Sequence, residues 1–522
     1  MSALVTDQFR ILNATNFINS VNDASNSYYV FVGLSNPTIS AFGRNSNWDT
    51  TPPNPVDNID YLNHYGSTML FGKKITSANI RRVIRKINWS SGQKYEMYRP
   101  DYSILNPSPI TGSMRLYDAN YYVINSDYRV YICINNGSSG INTTGNVSQV
   151  EPTFTDLEPS KLSDGYTWKY LYTVSPTDII KFDSTDYITI PNDWDSSSDS
   201  QIVAIRENGN SDLNENQIKT VFIKNGGSGY GLQDGQSCNL VGDGSGATVS
   251  LSINSTNGKI TDAIVTSGGK NYTYAMVDLG TTGSSIPEVY AELVPIIPPS
   301  KGHGFDIYKE LGADKVLIYA RFDDSTKDFP IDSKFAQVGI VKNPQVYDSA
   351  GINTTVYTQN EFSSVYSIKL ASVTGTVSVG DKIQQSVTGG TALGYVASYD
   401  SETQVLKYYQ DRSLYYGGLG LNNQDYVGIS SLFSNTGSMN KFNSSGAISK
   451  VGGDFSATVD SSFSGITTTI SNKIVNLGVE FNNGLANPEI NSESGDIVYI
   501  DNRRTVTRSS RQKEDVKIIL EF

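Results

Sequence analysis

Few residues in this chain are typed and spaced for chemistry, and they are scattered. The segment GGSGYG at 226–231 follows a predicted strand, the context in which a glycine-rich loop can cradle a phosphate. No helical pattern follows it, so no helix N-terminus would face the anion. A second copy of the loop carries Lys270-Asn271 in place of Ser228-Gly229, which a turn tolerates and a nucleotide loop does not. The segment is therefore expected to be a structural turn. Only two histidines occur, His64 and His303, and neither lies in an HExxH or Cys/His pattern. His303, between glycines in SKGHGFD, reads as a hydrogen-bonded imidazole in a tight turn. Asp323, Asp324 and Asp328 could pair as a glycosidase acid and base. Adjacent acids in a polar segment are more simply a solvated loop, and their spacing misses the calcium-loop pattern. There is no GxSxG nucleophile elbow. The expectation is a protein with no catalytic residues, no metal and no cofactor.

The elements around these residues are mostly strands. The chain has 522 residues, too many for one ordinary core, so several domains are expected. Only 18% of residues are charged, while Gly (46) and Tyr (33) are abundant. Glycine tolerates turn conformations and tyrosine favours pleated surfaces, a mixture suited to β-modules and to large polar-aromatic interfaces. Residues 5–22 form the best helix candidate, with Ile11, Ala14, Ile18 and Val21 on one stripe and Thr6 as cap. Strands are expected at 28–32, in a hairpin formed by YYVIN and YRVYICIN, and in DGYTWKYLYTV at 164–174, whose large aromatics on both faces make it buried or part of an interface.

A repeat lies at 219–298: TVFIKNGGSGYG matches DAIVTSGGKNYT, and each is followed by a strand, GATVSLSI or PEVYAELV. Asn257-Gly258 between the copies is a two-residue hairpin signal. A second module at about 365–415 alternates Val, Ile and Tyr and suggests a small barrel or sandwich. Residues 415–475, poor in charge, read as a decorated loop or short strands. The tail should hold two short strands, DIVYIDN and EDVKIILEF, around a basic segment. In the latter, Val516, Ile518, Leu520 and Phe522 alternate with Lys517, Ile519 and Glu521, the pattern of a half-buried strand.

The net charge of −12 argues against nucleic acid as a partner. Two cysteines, Cys133 and Cys238, supply no disulfide framework. No apolar run approaches membrane-spanning length, and MSALVTDQFR has no secretion-signal pattern. A protein made in the cytosol, with no membrane or nucleic-acid partner, is expected.

Several segments, in order, resemble one family. They are ALVTDQFR with Asn16 and Phe17, AFGRNSNW, the PPNP loop, VIRKINW, DGYTWKYLY with YITIP, FAQVGIVKNP, and SGDIVYIDNR with VKIILEF. The chain resembles the baseplate wedge subunit of T-even-type contractile-tailed phages, the one that dimerises within each wedge. The resemblance spans roughly 1–200, 300–345 and 490–522. It implies a mainly β, multi-domain protein with a few short helices, a β-sandwich-like core and small inserted β-modules. The implied domains are 1–200, an inserted module at 212–298, a continuation at 300–345, inserted modules at 346–490, and returning strands at 491–522. It also implies a homodimer that packs with other baseplate wedge subunits in the virion tail, assembled in the host bacterial cytoplasm, with no enzymatic activity.

Two basic clusters stand out, Arg81, Arg82, Arg85 and Lys86, then Arg503, Arg504, Arg508, Arg511 and Lys513; they read first as ordinary surface ion pairing and second as docking points for an acidic partner. The partner-interface candidates are Arg81, Arg82, Arg85, Trp89, Tyr166, Trp168, Tyr170, Arg503 and Arg504. The competing readings are a tail-associated binder or depolymerase of host polysaccharide, and a plate component of a related contractile injection system.

Overall fold

The computed structural model describes residues 6–38, 46–208, 217–280, 287–323, 333–349, 353–411, 439–508 and 512–522. The chain is mainly β and multi-domain, with five short to medium α-helices among the described residues. It divides into two compact units: residues 1–16, 81–317 and 519–522 form one, and residues 17–80 and 318–518 the other. The boundary falls inside the first helix, Asp7–Asn22. That helix starts where Thr6 caps it, since the amide of Phe9 reaches Thr6 Oγ1 at 3.3 Å. Its apolar stripe, Ile11, Ala14, Ile18 and Val21, is buried as the spacing requires.

The first unit is organised by a four-stranded antiparallel sheet in the order Tyr122–Ile124, Arg129–Asn135, Thr167–Thr173, Ser160–Lys161. The expected hairpin forms its first two strands, with Tyr122 opposite Ile132. Both faces of Thr167–Thr173 are buried, and Trp168, Tyr170 and Leu171 lie in one large core.

The repeat module of this unit exchanges strands between its copies. The first copy's strand, Val221–Asn225, pairs with Glu292–Pro295, which follows the second copy's glycines. The second copy's strand, Lys259–Lys270, pairs with Ser245–Asn254, which follows the first copy's glycines. Each glycine pair ends in a residue at positive φ, Gly227 (64°) and Gly269 (58°), a conformation glycine adopts without strain. Each loop's tyrosine then accepts an amide at or just before the exchanged strand: Ala291 N–H to Tyr230 at 2.8 Å and Ala247 N–H to Tyr272 at 3.3 Å. The glycine-rich loops are thus turns that clamp a neighbouring strand. The Asn257-Gly258 turn differs from expectation. Asn254 pairs with Lys259, so four residues close the hairpin rather than two. The module also shares a core with its surroundings, because Phe222 and Ile296 belong to the large cluster while Val221 and Ile223 belong to the module's own.

The second unit holds a five-stranded sheet in the order Glu361–Ser363, Met69–Lys74, Tyr28–Gly33, Lys334–Lys342, Asp496–Thr507. Gly339 in its middle permits close packing, since a Cβ there would run into the Phe31 ring and the Tyr499 carbonyl. Six strands close a barrel: Tyr366–Thr374 pairs with both Val405–Tyr409 and Ser456–Val459. The circuit is completed through Gly390–Asp400, Lys382–Val387 and Ala447–Lys450. The second module is therefore a barrel, and it draws two strands from the low-charge stretch. Residues 415–438 of that stretch lie outside the described residues. A separate hairpin, Gly465–Ile470 with Lys473–Phe481, turns through Ser471 and Asn472, both at positive φ.

The tail departs from expectation in one respect. Asp496–Thr507 is a twelve-residue strand, so Arg503 and Arg504 sit within a strand and not in a loop. The last strand, Glu514–Glu521, alternates as expected beside Lys315–Phe322, and Phe522 N–H extends the pairing to the Asp314 carbonyl at 3.2 Å. Only Ile518 of its four inward positions is fully buried (5% exposed), while Ile519 faces out at 37%. Ile518→Ala is expected to destabilise by about 2–4 kcal/mol and Ile519→Ala by less than about 0.5 kcal/mol, as measured by urea denaturation. Equal losses would show that the alternation does not set the register.

Candidate functional site

The segments that carry the family resemblance meet in space, and they do so in two places. In the first unit, Asp164 is the joint. It accepts from Ser148 Oγ (3.2 Å) and from the amides of Gln149 (2.9 Å), Val150 (3.1 Å) and Tyr166 (3.1 Å). The Tyr166 bond is an Asx turn, which presents Tyr166 to the core two residues later. Ser148 also receives the Trp89 indole N–H at 3.0 Å, so VIRKINW and DGYTWKYLY are tied through one hydroxyl. Arg82 pairs with Ile190 across the sheet, which brings YITIP to the same place.

Ten of the buried residues in the large core are tyrosines, so tyrosine is here a core material. Their hydroxyls reach backbone carbonyls: Tyr121 to Glu310 (2.6 Å), Tyr122 to Arg85 (2.9 Å), Tyr131 to Phe154 (2.6 Å), Tyr166 to Asn146 (2.8 Å) and Tyr172 to Thr189 (3.0 Å). Tyr166 stacks on Trp168, with ring centroids 5.4 Å apart. Burial pushes the phenol of Tyr131 up to about 12, and those of Tyr122, Tyr166 and Tyr172 higher still.

The interface candidates therefore fall into two groups. Tyr166, Trp168 and Tyr170 are buried in the chain's own core and present no side-chain surface to a partner. Arg82 is buried too, stacked over Tyr308 at 3.9 Å and donating to the Asn192 carbonyl and Thr15 Oγ1. Arg81 holds Asp178 through Nε (3.0 Å), Lys86 holds Asp183 (2.7 Å), and Arg85 donates to the carbonyls of Tyr117 and Ala119. The first basic cluster is thus internal bracing. Trp89 is partly buried against the core. A buried arginine that sequence reading did not single out, Arg99, holds Asp101 and lies 3.8 Å over the Phe222 ring.

In the second unit the meeting place is the outer edge of Asp496–Thr507. The Trp48 indole donates to the Arg503 carbonyl (2.7 Å), Asn502 Nδ2 to the Pro53 carbonyl (2.7 Å), and Thr505 N–H to Asp49 (2.8 Å). The Thr505 amide holds the Asp49 carboxyl below its usual range. Trp48, Asp49 and the PPNP loop thus cover a strand edge that would otherwise offer unpaired backbone groups. Arg503 and Arg504 are exposed, and Arg503 Nε lies 2.5 Å from Asp501. Arg508 is buried against Glu514 at 2.9 Å. Arg511 lies outside the described residues, as do Asp324 and Asp328.

Both histidines bond to a buried carboxylate: His64 Nδ1 to Asp411 at 2.7 Å and His303 Nδ1 to Glu310 at 2.5 Å. Glu310 also accepts the Gly304 amide, and the His303 ring meets Tyr98 edge-on, so this imidazole braces a turn. Among the described residues no group of three or more His, Cys, Asp or Glu side chains could hold a metal ion. Among them, too, no helix is long and apolar enough to cross a membrane.

No protein-family model matches the chain. It is similar to the baseplate wedge protein gp8 of Enterobacteria phage T4, with 21% identity over 219 residues, covering 36% of this chain. The chain spans 60% of that relative's length. The similarity amounts to a distant relationship with a baseplate protein.

A phenol held neutral by burial favours the folded state below its free pKa of about 10. That stability is lost as pH rises from 10 through the folded value near 12 for Tyr131. Alkaline titration followed at the phenolate absorbance is expected to show the buried tyrosines ionising together with unfolding, after the exposed ones. A single smooth titration near pH 10, with the fold intact, would contradict it.

Proposed function

We propose that this chain is a structural subunit of a phage tail baseplate, of the wedge type, and that it does no chemistry. It associates with itself as a homodimer and packs against other wedge subunits in the contractile tail, after assembly in the host cytoplasm. The observation that supports this most is the joining of the resembling segments. Residues far apart in sequence, such as Trp48 with Arg503 and Trp89 with Ser148 and Asp164, are spent on fixing sheets and an edge. A scaffold must hold its shape under load, and cross-braced β-domains with satisfied hydrogen bonds do so. The distant similarity to a T4 baseplate wedge protein gives the assembly in which such a scaffold would serve.

Mass spectrometry of purified virions, with chemical cross-linking, tests the proposal. The chain should be present in fixed ratio to other baseplate proteins, with cross-links both to itself and to them. Virions that lack it, or hold it only in traces removed by washing, would end the proposal.

A further inference from the structure

The hairpin of Gly465–Ile470 and Lys473–Phe481 is a two-stranded sheet by itself. No residue from 464 to 480 is buried, and Ile474 near the tip is 78% exposed. Only the base is anchored, where Phe481 packs against Phe463 with ring centroids 5.5 Å apart. A two-stranded ribbon is marginal in water, whereas three or more strands with an apolar face hold together. The hairpin therefore gains from a further strand.

One of its edges is built to receive one. The turn has two residues, so Ile470 and Lys473 on either side of it exchange their backbone hydrogen bonds. By the alternation of an antiparallel ladder, Thr468 and Val475 make the next exchange. Thr467 and Thr469 consequently aim their N–H and C=O groups away from Lys473–Phe481. Both residues are exposed, and among the described residues no strand pairs with that side. Edge strands are ordinarily protected by charge, proline or a covering segment, as Trp48, Asp49 and Pro53 cover Asp496–Thr507. Gly465–Ile470 carries neither charge nor proline.

The sequence of this edge selects its partner. Ile466-Thr467-Thr468-Thr469-Ile470 reads the same in both directions. Laid antiparallel against itself about Thr468, it sets Ile466 opposite the second copy's Ile470 and Thr467 opposite the second copy's Thr469. The outward backbone groups of Thr467 and Thr469 then meet one another, so side-chain register and hydrogen-bond phase agree. Cross-strand Thr–Thr and β-branched pairs favour such pairing. A second copy supplies the matching pattern automatically, as a two-fold interface requires.

We propose that Gly465–Ile470 pairs antiparallel with the same strand of a second copy, joining two hairpins into one four-stranded sheet. This rests on the homodimer reading above and gives it a contact surface. Five residues a side are few beside the roughly 800 Å² per partner of a standard interface, so this edge alone gives a weak pair.

The test is sedimentation of the full chain up to about 200 µM, enough to populate a pair of sub-millimolar affinity, with disulfide mapping under mild oxidation. Thr468→Cys should give a covalent dimer, because residues opposite one another in a non-hydrogen-bonded antiparallel pair have Cα atoms about 4.5 Å apart, within disulfide reach. Ile474→Cys should not, since three strand spacings, about 14 Å, separate its two copies. The native Cys133 and Cys238 are buried. Thr467→Lys with Thr469→Lys sets like charges opposite one another and should weaken association roughly tenfold or more, at an unchanged melting temperature. Thr467→Lys with Thr469→Glu should restore it, as the antiparallel register about Thr468 requires. No cross-link at Thr468, or one formed equally well at Ile474, would overturn the proposal. So would association indifferent to the double lysine variant, or weakened alike by both pairs of substitutions. A dimer that persists without the Thr468 cross-link would leave the homodimer reading on another surface, while a chain that stays monomeric would end both. The baseplate assignment rests on virion content and is untouched by either result.

Discussion

A phenol can be buried only where its hydroxyl finds an acceptor, and much of the first unit is arranged to meet that demand. Each ring brings a large apolar area and one polar atom that cannot be left alone. The hydroxyls of Tyr121, Tyr122, Tyr131, Tyr166 and Tyr172 meet it by bonding to carbonyls of loops and neighbouring strands. Such bonds are directional, so packing and chain path fix each other. Asp164 applies the same logic in reverse, gathering three amides and a hydroxyl around one carboxylate. A core of plain aliphatic residues would gain similar burial and would place the surrounding loops less definitely.

The second unit solves a different problem. Its long edge strand, Asp496–Thr507, would invite pairing with any other chain, and Trp48, Asp49 and Pro53 close part of that edge. An edge closed by its own chain leaves fewer backbone groups free to pair with another strand. The repeat module is stabilised by exchange, each copy's tyrosine holding the strand that follows the other copy's glycines. Neither copy could be removed without stripping the other of its partner.

Much of the local structure was legible in the sequence. The stripe of the first helix, the hairpin at Tyr122–Asn135 and the alternation of the last strand follow from periodicity alone, because burial selects residue type at the helical or strand spacing. The glycine-rich loops were correctly read as turns, since no helix followed them. The candidate interface was not legible. Clustered arginines read as a surface, yet Arg81, Arg82 and Arg85 find their partners at Asp178, Asn192 and Ala119. Those partners lie 34 to 110 residues away, and nothing in a local window reports them. Large aromatics on both faces of the strand that holds Tyr166, Trp168 and Tyr170 fit either a buried strand or an interface, and the three side chains are buried. Whether a tyrosine faces a partner or its own core depends on acceptors that only the fold supplies. Asp164 carried one readable signal, an Asp-Gly-Tyr turn, but its four-donor role did not show. The second module was legible as a small barrel or sandwich, while the two strands it draws from beyond residue 438 fall in a stretch that read equally as a loop.

The central claim is that the aromatic residues form this chain's own core before any partner arrives. Nitration of the isolated, folded chain by tetranitromethane, mapped by mass spectrometry, tests it most directly. Tyr274 and Tyr290, at 60% and 70% exposure, should be modified, while Tyr131, Tyr166 and Tyr170 should not. Modification of Tyr166 and Tyr170 in the isolated chain, with protection appearing only in assembled particles, would place them at an interface and contradict the claim.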